Sequence, residues 1–305
     1  MTAGHPMNDG AQGSTEAGAV VALADRSARG KQALSWAASE AARRRAPLQV
    51  VVADDQRTPQ ERQTLFADAV ASIRHAAPGI SVLAHTGHGP TVQTLRELSA
   101  EAAALVVPAS LPSVTIVVAD SYCPVFVVPE DAAHPAAERG PVVLGVAPWT
   151  GEHVIDLAFR EAELRRAGLF AVRTWFDARI DLGRPRSDAI QQWDPAEARV
   201  RRELELSLSA WSADHPDVHV ETVVVADRAA HFLLSVTGRA RLLVLGRTVR
   251  GALLTGIVGF PVSNVLHRAR CPVLVVPAEG PPLTTWLSTM VDTATECPIP
   301  QRSQP

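Results

Sequence analysis

Lysine is nearly absent from this chain. Of its 29 basic residues only Lys31 is a lysine; the others are arginines. Gly30-Lys31-Gln32 is not surrounded by a Gly-x4-Gly-Lys-Ser/Thr loop and falls within a helical pattern, which excludes a P-loop nucleotide hydrolase. Cysteine is scarce as well, with only Cys123, Cys271 and Cys297. Three cysteines cannot form a disulfide framework, and their pattern fits a reducing compartment. Cys123 and Cys271 each precede a proline at the start of an apolar strand, where a small buried hydrophobe suffices. Metal ligands are missing too: His85-Thr86-Gly87-His88 supplies two histidines, but two further ligands at suitable spacing are not visible. The formal net charge is −3, so there is no basic excess to hold nucleic acid. No uncharged apolar run is long enough to span a membrane. The first residues, MTAGHPMNDGAQGSTEAGA, contain no apolar core of a signal peptide. The expectation is a cytoplasmic protein with no metal, nucleic-acid or membrane partner.

What the chain does have is a repeat. Residues 105–129 read LVVPASLPSVTIVVADSYCPVFVVP, and residues 243–277 read LVLGRTVRGALLTGIVGFPVSNVLHRARCPVLVVP. The beginnings match as well, Val20-Val21-Ala22-Leu23-Ala24-Asp25 with Val142-Val143-Leu144-Gly145-Val146-Ala147. The offset between copies is 122 at the first strand, 138 at Val107 and Leu245, and 148 at Cys123 and Cys271. The second copy has therefore gained 16 residues in mid-domain and 10 more before its last helix. Self-similarity at this length is a duplicated domain rather than a solenoid, and 305 residues is the length of two domains.

The expected organisation is a disordered segment 1–17, a domain 18–129, a linker 130–140, a domain 141–279 and a tail 280–305. In each domain apolar strands alternate with helices. Leu34, Ala37, Ala38 and Ala41 are spaced for one helical face, as are Ile155, Phe159 and Ala162. Strand–helix alternation predicts right-handed crossovers and a doubly wound parallel sheet covered on both faces. The inserted residues are expected as a surface excursion, with a helix starting at Pro195. In the tail, Trp286, Leu287, Met290 and Val291 share a helical face, expected to dock on the second domain.

The loop after the fourth strand differs between copies. In the second copy Gly246-Arg247-Thr248-Val249-Arg250-Gly251 follows a buried strand, and Gly259 precedes a helix. A strand–glycine loop–helix unit aims backbone N–H groups and a positive helix end at one point, where an anion can sit. Six arginines and no acid lie between residues 239 and 270, a field that favours phosphate. Equally, glycines end strands and arginines solvate surfaces. The first copy has lost this loop: Pro108 stands at the first glycine position and the rest is deleted.

From about residue 18 to 279 the chain resembles two tandem domains of the universal stress protein family. The carriers are the strand ending in Asp25, the Gly87/Gly89-Pro90 turn, the final strands Cys-Pro-Val-x-Val-Val-Pro, and the spacing of Gly246, Gly259 and Cys271-Pro272. The resemblance implies two Rossmann-like, adenine-nucleotide-alpha-hydrolase-like α/β units. Each would have five parallel strands in the order 3-2-1-4-5. Many members bind ATP through Gly-x2-Gly-x9-Gly-Ser/Thr and an Asp at the end of the first strand. Here Gly246 and Gly259 match, Val249 replaces the second glycine, Phe260 replaces the Ser/Thr, and Ala147 replaces the Asp. In the first domain Asp25 is kept but the loop is gone, so each domain keeps what the other lost. Val249 restricts the loop, and Phe260 and Ala147 cannot form the polar contacts. At about 1–3 kcal/mol each, these losses turn a micromolar site into a millimolar one. Neither first-strand loop carries the Ser-Gly-Gly-x-Asp-Ser sequence of relatives that activate carboxylates.

Two readings follow. In the first, this is a non-catalytic, stress-associated regulatory or scaffold protein that binds no cofactor and acts on a protein partner that the sequence does not name. In the second, it is an adenine-nucleotide sensor that binds ATP weakly in the second domain. The site would comprise Gly246, Arg247, Arg250 and Gly259, with Asp25 left to cap the helix that follows it. The resemblance also implies that the fifth strands, Val125–Val128 and Val273–Val276, lie antiparallel as an intramolecular pseudo-dimer. Homodimerisation of whole chains is compatible with it.

Overall fold

The computed structural model describes residues 18–25, 27–52, 58–87, 89–130, 139–174, 186–225, 227–247 and 260–278. In the N-terminal half the order is β1 (Val20–Leu23), α1 (Ala28–Arg44), β2 (Leu48–Val52), α2 (Pro59–Ala76), β3 (Val82–Thr86), α3 (Thr91–Ser99), β4 (Ala104–Pro108), α4 (Val114–Asp120) and β5 (Val125–Val128). The C-terminal half repeats it with β6 (Val142–Gly145), α5 (Glu152–Leu164), β7 (Leu169–Thr174), α6 (Arg186–Asp214), β8 (Val220–Val225), α7 (Ala229–Val236), β9 (Leu242–Gly246), α8 (Phe260–Arg268) and β10 (Val273–Val276).

Local chemistry explains the helix ends. The Ser27 hydroxyl accepts from the Gly30 N–H and starts α1. Thr58 and Glu61 form a reciprocal capping box at α2, with Pro59 in the first turn, where its missing N–H costs nothing. Arg45 closes α1 in the left-handed region at φ 54°.

Each half orders its strands 3-2-1-4-5 with parallel neighbours, and the halves join into one ten-stranded sheet, β3-β2-β1-β4-β5-β10-β9-β6-β7-β8. The join is the antiparallel pair β5–β10, in register Val273–Val127, Leu274–Phe126 and Val275–Val125. An unpaired strand edge is a template for another strand, and here each half covers the other's. One core lies under α1, α2, α5 and α6, the other under α3, α4, α7 and α8. The strands alternate between them, so Phe126 and Leu274 serve the first core while Val127 and Val273 serve the second. Leu34, Ala37, Ala38, Ala41, Ile155, Phe159 and Ala162 are all buried.

One expected boundary moves. The helix expected from Pro195 begins at Arg186, so the second part of the expected excursion is the start of α6. Proline commonly opens a helix, but α6 runs through Pro195, and the good helix formers Ala189, Gln191 and Gln192 precede it. Residues 175–185 and the tail from 279 onward lie outside the described residues. Among the described residues no helix is long and apolar enough to cross a membrane.

Candidate functional site

In parallel sheets of this kind ligands sit beyond the carboxyl ends of the strands. In the N-terminal half that edge carries Asp25. Its carboxylate is engaged locally: Oδ1 accepts the Ser27 N–H at 3.1 Å and Oδ2 accepts the Ser27 hydroxyl at 2.6 Å. Asp25 thus orients the residue that caps α1. Gly30 is needed there because a Cβ would lie 2.4 Å from the Asp25 Cβ. Asp25 also lines a cavity of ≈ 200 Å³ with Lys31, Leu34, Leu65, Asp68 and Ala69. Beyond β4 the chain turns at once. Leu111 N–H donates to the Pro108 carbonyl at 3.0 Å and Val114 N–H to the Leu111 carbonyl at 3.0 Å. Residues 109–113 are all that connects β4 to α4.

In the C-terminal half Gly246 ends β9 under the start of α5. A Cβ on it would come within 3.1 Å of Val154 Cγ2, so packing already asks for glycine here. Ala147 stands where the first half has Asp25. Its N–H is taken by the Thr150 hydroxyl at 2.8 Å, and His153 Nε2 meets the Pro277 carbonyl at 2.9 Å. Arg250, Val249 and Gly259 lie outside the described residues, and Phe260 opens α8.

Arg247 is not where the loop reading put it. Read from the sequence as a phosphate-facing cation, it is buried, and its Nη1 donates to the carbonyls of Val118 at 2.8 Å, Ala119 at 2.5 Å and Ser121 at 3.1 Å. All three acceptors belong to the C-terminal end of α4, in the other half of the chain. A guanidinium has donors in a fixed fork, which suits the orphan carbonyls of a helix end. Burial pulls its pKa down to about 10, with nearby Asp120 opposing the shift, so it remains charged at neutral pH.

The seam between the halves holds a second group that sequence reading missed. Arg44 of α1 and Arg165, the C-cap of α5, each pair with both Glu40 and Glu161, closing a four-membered ring. The Arg44–Glu40 and Arg165–Glu40 distances are each 2.8 Å. Glu40 and Glu161 are fully enclosed. Burial raises the Glu40 pKa, but Arg165, Arg44 and Arg43 together outweigh it and hold it below the usual carboxylate range. Phe126 of the joining strand lies beneath, its ring 5.4 Å from Arg44 Cζ and 6.0 Å from Arg165 Cζ. Trp36 packs on the same ring at 4.8 Å. The available signal was the recurrence of Glu-x3-Arg at equivalent places in the repeat, Glu40/Arg44 and Glu161/Arg165.

Cys123 and Cys271 are buried free thiols, with pKa values pushed up to about 12 by desolvation. Among the described residues no cluster of His, Cys, Asp and Glu could hold a metal ion.

The model of the universal stress protein family matches residues 139–277. A universal stress protein of Mycobacterium tuberculosis is 33% identical over 292 residues, covering 84% of this chain and 96% of its own. The chain belongs to the universal stress protein family. A second universal stress protein of that organism is 32% identical over 201 residues, covering 62% of this chain and 63% of its own. Among solved structures, a universal stress protein from Archaeoglobus fulgidus superposes with TM-score 0.60 at 14% identity, covering 85% of this chain and 96% of its own. A functionally unknown protein from Pseudomonas aeruginosa does so with TM-score 0.59 at 18% identity, covering 91% and 96%. These structures bear on the fold alone.

Proposed function

We propose that this universal stress protein is a non-catalytic regulatory or scaffold protein whose nucleotide sites have decayed. The observation that carries the reading is the β4–α4 turn of the N-terminal half. Ala109 N–H donates to the Val128 carbonyl, Leu111 N–H to that of Pro108 and Val114 N–H to that of Leu111, and Pro112 has no N–H, which leaves no run of successive free N–H groups to cradle phosphates. Supporting it, Asp25 is occupied by Ser27, and in the other half Arg247 is committed to α4 rather than to a ligand. Cys123 and Cys271 are buried and protonated at neutral pH, so neither is a ready nucleophile. Free thiols also fit the reducing cytoplasm.

The alternative, an ATP sensor acting through Gly246, Arg250 and Gly259, is favoured by the acid-free, arginine-rich stretch 239–270. Titration of the full chain with a fluorescent adenine nucleotide separates the two. Decayed sites predict a dissociation constant of about 1 mM or weaker, tightened by restoring Val249→Gly and Phe260→Ser together. Low-micromolar binding by the unmodified chain replaces it with the sensor reading.

A further inference from the structure

Because the chain repeats itself, the seam between its halves occurs twice. Ala109 and Arg247 hold equivalent places, each the first residue beyond its fourth strand. Ala109 N–H donates to the Val128 carbonyl at 2.9 Å, and Arg247 N–H donates to the Val276 carbonyl at 2.8 Å. From that position Arg247 crosses the seam and occupies the end of α4. Ala109 offers only a methyl group. The equivalent space, at the end of α8, is an open groove of ≈ 520 Å³.

The groove is lined by Ala109 and Ser110 on one side and by His267, Arg268 and Arg270 from the other half. Arg29 and Glu130 close a further side and neutralise one another at 2.8 Å. Arg268 and Arg270 have no carboxylate partner among the described residues, and no acid occurs between residues 239 and 270. The C-terminal end of α8 contributes a partial charge of roughly −0.5, which two whole positive charges exceed. Guanidinium groups match phosphate oxygens in a bidentate fork. The volume lies within the range of about 300–1,000 Å³ typical of small-ligand sites.

We propose that this seam groove binds a compact phosphorylated ligand of about pyrophosphate size, recognised by Arg268 and Arg270 of one half against the Ala109–Ser110 turn of the other. It is separate from the glycine loop beyond β9. A turn too short to cradle phosphate on its own backbone leaves the space that side chains from across the seam then line.

The test is titration of the full chain with sodium pyrophosphate, followed by heteronuclear NMR and calorimetry, with a parallel arm using ADP. Shifts should concentrate at Ala109–Ser110 and His267–Arg270. The exposed-site variant R268A/R270A should bind at least about tenfold more weakly. A109R, which places a guanidinium as in the other seam, should also reduce binding. ADP binding equal to or weaker than pyrophosphate supports recognition of the phosphates alone; ADP binding about tenfold or more tighter than pyrophosphate overturns the pyrophosphate-sized ligand. The proposal fails if pyrophosphate causes no shifts at millimolar concentration, or if R268A/R270A binds as the unmodified chain does. It also fails if the shifts fall only at Gly246 and Val154, an outcome that would support the sensor reading instead.

Discussion

Arg247 shows how a single side chain can leave the role its sequence neighbours suggest. It follows a glycine at the end of a strand, in an arginine-rich stretch, yet it is spent on three carbonyls of α4. Those acceptors lie 126 to 129 residues away in sequence, and no local pattern could reveal them. Arg247→Met keeps much of the buried volume and removes every donor. The expected cost is about 2–3 kcal/mol, read as a lower urea midpoint with an unchanged slope. A change below about 0.5 kcal/mol would make the contact incidental. The buried thiols give a second residue-scale expectation. In the folded chain burial pushes the Cys123 and Cys271 thiols up to about 12, from an ordinary value of 9.0. Between those values the unfolded chain has lost the thiol proton and the folded chain has kept it, so folded stability must fall as pH rises. The slope is about 1.4 kcal/mol per pH unit for each thiol. Alkylation at pH 8, mapped by peptide mass spectrometry, should spare both until the chain is unfolded. Rapid native labelling of either would contradict the burial.

At the scale of elements, α1 and α5 meet through the Glu40–Arg44–Glu161–Arg165 ring. The apolar faces of both helices were legible in spacing, since Leu34, Ala37 and Ala41, like Ile155 and Phe159, recur every three or four residues. The ring was not, because each Glu-x3-Arg pair alone reads as an ordinary exposed i,i+4 pair. Only the β5–β10 join brings the two pairs together. The start of α6 was likewise obscured, by a proline that usually opens a helix and here lies inside one. Removing one member of a buried ion pair strands its partners, so Glu40→Gln should cost about 3–5 kcal/mol at neutral pH. The sign with pH follows from the lowered Glu40 pKa. The unfolded carboxyl protonates first on acidification, so the contribution present at neutral pH is lost as pH falls below about 4.5 through the folded value. Glu40→Gln should therefore narrow its deficit in acid, as seen by comparing urea midpoints of the two chains at pH 7 and pH 4. A deficit that stays constant between them would mean that the carboxylate charge does not carry the effect.

For the whole molecule, the join decides whether the chain behaves as one body or two. Phe126 is the residue best placed to ask. It lies on β5, is fully buried, pairs in register with Leu274 of β10, and sits beneath Trp36 and two arginines of the ring. Its surroundings therefore come from both halves. A large-to-small change here should cost about 3–5 kcal/mol through lost burial and the cavity left behind. If β5–β10 pairing, the ring and Arg247 couple the halves strongly, Phe126→Ala should shift one cooperative transition with its slope unchanged. Tryptophan fluorescence and far-UV circular dichroism should then report the same midpoint. If the seam is weak, the substitution should instead separate two transitions, one from each half, and the two probes should disagree. The three ties act at different places: β5–β10 in the sheet, the charge ring between helices on one face, and Arg247 at the end of α4 on the other. Loosening one leaves the others to hold the orientation. We therefore expect a single shifted transition for Phe126→Ala, and a split only when it is combined with Arg247→Met.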